Sequence, residues 1–219
     1  MARMDYYLIS AAAGDRTPVG ILVEEFVLYE DYTAAGIDSV EWSPRTGGWS
    51  GSPGRSRALR SNPALRALAT AVSRETAARE LARLGGGALP EEFELHTMFE
   101  HRQALPTAGP LNLGTARSAR RYRILFAGEL GSEGLAKAST ALRLEPTDDP
   151  RVVGTAQASA GGHGFTWELR RIGAGIAWCV DVTVRLGTGP AIALGALLHH
   201  HRQAIREQGL IPVTIERFA

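Results

Sequence analysis

Apolar positions in the first thirty residues fall in short strand-like runs. "DYYLISA" and "VGILVEEFVLY" are rich in Tyr, Ile, Val and Phe, with "AGDRTP" between them as turn material. The pattern predicts strands over residues 5–32, folded as a hairpin. The next segment, "WSPRTGGWSGSPGRS" (42–56), is dense in Gly, Pro and Ser, so it predicts a loop, interrupted by Trp42 and Trp49.

Helical spacing then takes over. "SNPALRALATAV" offers Asn62 as an N-cap and Pro63 at the first helical position. "SRETAARELARLGGG" starts at a Ser73 cap and stops at Gly85. "LPEEFELHTMFEHRQAL" places acids in the first turn of a helix over 90–104, where the helix dipole favours them. Residues 105–118 read as a connector. Beyond it the pattern predicts strand 121–128, helix 132–143, strands 151–159, 164–171 and 176–186, helix 190–208 and strand 211–218.

The fold class expected is α+β: an antiparallel or mixed sheet with helices on one face, its C-terminal half loosely ferredoxin-like with an added strand. Two lobes are expected, 1–115 and 116–219, which could also run together as one domain.

One hairpin can be specified further. Period 2 puts Phe165, Trp167 and Leu169 on one side of the first strand, and Ile176, Trp178, Val180, Val182 and Val184 on one side of the second. Cross-strand partners share a face, so Leu169 is expected opposite Trp178, Trp167 opposite Val180 and Phe165 opposite Val182, around an even turn drawn from "IGAG". The other face then carries Glu168, Arg170, Asp181, Thr183 and Arg185.

Composition narrows the function classes. The chain has 219 residues, 44% hydrophobic, enough for a real core, and a formal net charge of +1. That balance argues against a generic nucleic-acid or membrane binder. Lys137 is the one lysine among 24 basic residues, which fits a GC-rich bacterial coding bias and makes nearly every cationic contact a planar guanidinium. Cys179 is the single cysteine, lies in an apolar strand and reads as structural. The sequence predicts a soluble, cytoplasmic protein, with neither a signal-peptide pattern nor a long apolar run.

Charge falls in blocks. Residues 17–44 hold Glu24, Glu25, Glu30, Asp31, Asp38 and Glu41 without a basic residue. Residues 42–74 hold Arg45, Arg55, Arg57, Arg60, Arg66 and Arg74 without an acid. Either the blocks pair inside the fold, or the loop with Trp42, Arg45, Trp49, Arg55 and Arg57 grips a protein or small-molecule partner.

The run His199-His200-His201 is not a metal site by its spacing, since successive helical residues diverge by about 100°. His201 falls on the apolar stripe with Leu194, Leu197, Leu198 and Ile205, and is expected half-buried with a hydrogen-bond partner. His163, in "GGHGF", is expected in an exposed turn. Glu92, His96 and Glu100 share one helix face, a pattern that solvated helices also give, so neither a metal nor a cofactor is expected. "GELGSEGLAK" lacks a nucleotide-binding spacing.

The leading expectation is a non-catalytic binding or accessory protein using the Trp/Arg loop. The alternative is a hydrolase or transferase whose site joins His163 or His201 with Glu168, Asp181 and Arg170 between the lobes. A homodimer through the 211–218 edge is compatible with the sequence, though Pro212 opposes it.

Overall fold

A computed structural model describes residues 4–15, 17–99, 102–105, 119–173, 177–189 and 192–218. Over these residues the protein is α+β, with eleven strands in two antiparallel sheets and six helices. The chain divides into two compact units: Met1–Tyr29 with Ala34–Pro106, and Glu30–Thr33 with Thr107–Ala219. No helix among the described residues is long and apolar enough to cross a membrane.

The first unit runs β1 (Met4–Ser10), β2 (Pro18–Leu28), β3 (Ala34–Ser43), β4 (Gly48–Gly51), α1 (Pro53–Ser61), α2 (Pro63–Arg66), β5 (Ala69–Val72), α3 (Arg74–Arg83), α4 (Glu92–Thr97) and β6 (Gln103–Ala104). The sheet order is β4-β3-β2-β1-β5, with β6 also on β3. The expected hairpin is present as β1 and β2, pairing Tyr6 with Val23 and Leu8 with Ile21.

Three local expectations are corrected. The segment 42–56 is not an irregular loop: it ends β3, forms β4 and starts α1, because Trp49 pairs across from Trp42 and Pro53 opens a helix at its first position. "SNPALRALATAV" gives only the short α2 before β5 pairs with β1, a case of sheet pairing overriding a helical pattern. The helix expected over 90–104 ends at Thr97. Glu100, His101, Arg117, Ile176 and most of the 105–118 connector lie outside the described residues.

One sheet face of this unit packs Met4, Tyr6, Ile21, Val23, Val40 and Trp42 against Ala77 and Leu81 of α3 and Leu95 of α4. The opposite face carries buried charge. Asp5, Glu24 and Ser39 form one cross-strand row, and all three are buried. Arg60 of α1 donates to both Glu24 oxygens at 2.9 and 2.8 Å and also to the Ser56 carbonyl. Burial pulls the Arg60 guanidinium down, but Glu24, with Tyr7 and Asp5 behind it, carries it above its ordinary range.

The second unit runs β7 (Ala119–Ala127), α5 (Ser132–Ala141), β8 (Val152–Ala160), β9 (His163–Ile172), β10 (Ala177–Arg185), α6 (Ile192–Arg206) and β11 (Ile211–Arg217), in the order β11-β7-β10-β9-β8. Successive antiparallel pairings make β7 and β8 run in opposite senses, whereas a βαβ crossover joins parallel strands.

The β9–β10 hairpin has the expected faces but a register two residues further on: Leu169 opposes Val180, Trp167 opposes Val182 and Phe165 opposes Val184. Ile172 extends the ladder to Ala177, and Gly173 takes a positive φ of 65° after it, so the turn begins one residue late. A shift of two keeps every side chain on its face. β11 begins at an edge, with a bulge between Pro212 and Thr214.

Candidate functional site

The two faces of the second sheet differ in kind. On one, Tyr122, Ile124, Phe126, Phe165, Leu169, Val180 and Val182 are buried, and α6 packs over β10 and β11. Trp167 is anchored there, its indole N–H donating to the Leu142 carbonyl at 2.9 Å.

The other face is open and polar, and the strand register lays it out in rows. One row crosses the strands as Thr155, Glu168, Asp181, Arg123 and Glu216. The neighbouring row is Gln157, Thr166, Thr183 and Arg121. A depression of about 620 Å³ is sunk into this face, lined by Arg121, Arg123, Thr166, Glu168, Asp181, Thr183 and Phe218 among others.

The cations here are held in different ways. Arg123 makes a bidentate pair with Asp181, both bonds at 2.6 Å, and lies over the Phe218 ring at 4.6 Å. Those hydrogen bonds, against burial, hold its guanidinium above the ordinary range. Arg170 pairs with Glu168 at 3.0 Å. Arg121 is exposed; its Nε donates to the Thr183 hydroxyl at 3.3 Å, and it meets no carboxylate among the described residues.

Cys179 points to the same face but is fully covered, and burial, reinforced by Asp181, pushes its thiol up to about 12. It is therefore a structural thiol rather than a nucleophile.

The enzyme-like set from the sequence is split by the sheet. Glu168, Asp181 and Arg170 come together in the depression. His163 does not join them. It is the first residue of β9 rather than part of an exposed turn, is 3% exposed, and accepts the Gly187 N–H at Nδ1 (3.0 Å). The turn before it is Gly161-Gly162, both at positive φ.

His201 is also on the helix side, 1% exposed, its ring 4.7 Å from Trp167. The expected partner is absent among the described residues: neither ring nitrogen has a hydrogen bond there. Burial, with His200 beside it, pulls its pKa down to about 3. His200 is exposed and His199 half-buried.

The Trp/Arg segment is mostly used internally. Trp42 belongs to the core at 4% exposure, and Trp49 packs against the same cluster, so neither ring projects from a loop as the partner-gripping alternative expects. Arg55 bonds Glu41 at 2.7 Å, while Arg45 and Arg57 are exposed. With Arg60 on Glu24 and Arg102 on Asp38, three acids of the block find arginines within the first unit, while Asp31, which belongs to the second unit, meets Arg217 there at 3.6 Å. His96 meets Glu25 at 3.2 Å, and no cluster of metal-ligating side chains occurs among the described residues.

Fold and site thus define a two-sheet α+β chain with a polar, concave sheet face. Comparison with protein-family models, curated proteins and solved structures finds no match to it.

Proposed function

We propose that this is a cytoplasmic, non-catalytic binding protein that seats a small polar ligand on the open face of its five-stranded sheet. The observation that carries the reading is the depression of about 620 Å³ on that face. Ligand sites run roughly 300–1,000 Å³ and carry a few fixed polar groups for orientation. Here Arg123 is fixed by two hydrogen bonds to Asp181 and by the Phe218 ring, so part of the recognition surface is rigid before any ligand arrives.

Binding is favoured over catalysis by what lines the depression. Both carboxylates are engaged by guanidiniums, and the imidazoles of His163 and His201 lie on the helix side. The reading also moves recognition away from the 42–60 segment, where Trp42 and Arg55 serve the fold of their own unit.

A fragment screen followed by amide NMR tests this. Hits are expected to shift Thr166, Thr183 and Arg121, and Thr183→Tyr, which puts a ring into the depression over the threonine row, is expected to abolish them. Hits that cluster elsewhere and survive Thr183→Tyr would reject it.

A further inference from the structure

Resting on that reading, we infer that the depression takes a small monoanion rich in hydroxyl groups, a sugar acid of the uronate kind. Three features select this chemistry. The first is charge. Of the guanidiniums lining the depression, Arg123 is held by Asp181 with Glu216 beside it, and Arg170 by Glu168 and Asp149, whereas Arg121 has no carboxylate among the described residues. A single carboxylate satisfies it. A polyphosphate would bring further charges against Glu168 and Asp181.

The second is the hydroxyl row. Thr166, Thr183 and Arg121 stand side by side on β9, β10 and β7, spanning about 10 Å across two strand spacings. Threonine hydroxyls both donate and accept, and so do the hydroxyls of a sugar. The neighbouring Glu168 and Asp181 oxygens accept from ligand hydroxyls as well. A bare hydrocarbon acid offers Thr166 and Thr183 no hydroxyl partner, so it forgoes the contacts that a sugar acid gains along this row.

The third is the platform. Phe218, with the Arg123 guanidinium over its ring, lines the depression and is bonded through its N–H to the Arg121 carbonyl. Such a surface suits the apolar face of a pyranose ring.

Isothermal titration and amide NMR with glucuronate, glucose, acetate and inorganic phosphate as probes test the inference. Glucuronate is expected to bind and to shift Arg121, Thr183 and Thr166. Glucose lacks the charge and acetate lacks the hydroxyls, so both are expected to bind at least tenfold more weakly. Arg121→Gln and Thr183→Val are expected to keep the fold by circular dichroism; the first should weaken glucuronate by roughly ten- to a hundredfold, the loss of one charge-assisted hydrogen bond.

Equal affinity for glucuronate and glucose, equal affinity for glucuronate and acetate, or tighter binding of phosphate would overturn the inference. So would the absence of glucuronate binding at millimolar concentration. If other small molecules still shift Thr183 and Arg121, the binding reading stands while the ligand class falls. If none does, both fall.

Discussion

His201 shows how one side chain sets a condition on the fold. A histidine in the stripe of a helix reads as half-buried with a partner. The structure buries it almost completely against Trp167 and gives neither nitrogen a partner among the described residues. The folded imidazole stays neutral until about pH 3, whereas an unfolded one takes up a proton below about 6.5. Between those values the unfolded state binds more protons, so stability falls as pH falls, by at most about 1.4 kcal/mol per unit. Urea denaturation followed by tryptophan fluorescence at pH 7, 6 and 5 should show this loss. His201→Met should flatten the dependence and raise stability at pH 7, because it removes two desolvated nitrogens from an apolar site. A variant with the parent's pH slope would assign the effect to another group.

At the scale of elements, the docking of α1 on its sheet depends on a charge pair 36 residues apart in sequence. Glu24 is wholly buried and Arg60 nearly so, and their two short bonds join the helix to β2. Arg60→Met leaves an uncompensated buried carboxylate and should cost about 3–5 kcal/mol in chemical denaturation. Adding Glu24→Gln should restore a large part, since replacing both partners removes the stranded charge. If the two losses simply add, the pair is not coupled in this way. This pair also marks the limit of reading the chain by pattern. Strand alternation was legible, and it assigned the faces of β9 and β10 correctly while missing their register by two, because period 2 is blind to an even slip. The pairing of acidic and arginine blocks was legible as one of two alternatives. That Asp5 and Glu24 face inward was not, because a carboxylate within a strand looks like a solvent-facing position until a distant guanidinium is brought over it. The open face had the same character. Glu168, Arg170 and Asp181 were visible as one polar side of a hairpin, but Arg121, Arg123 and Phe218 join them only through the pairing of β7 with β10 and β11.

For the whole molecule, the arginines matter more by their partners than by their number. The chain carries 24 basic and 23 acidic residues. Many of the guanidiniums are spent on carboxylates within their own unit: Arg55 on Glu41, Arg60 on Glu24, Arg102 on Asp38, Arg123 on Asp181, Arg171 on Glu129. A polyanion needs several uncommitted cations in a line, because each neutralised phosphate adds one increment to the salt-dependent affinity. The depression offers one guanidinium without a carboxylate, Arg121, among the described residues, so its ligand should show a shallow salt dependence, a slope in log K against log salt no steeper than about −1. Passage over immobilised heparin therefore separates the two kinds of protein directly. The 219-residue chain should elute at or below about 0.15 M salt, where surface charges are screened beyond about 8 Å. Retention well above that, lost in Arg121→Gln, would mean that the arginine face works as an extended polyanion surface and not as the seat of a single small acid.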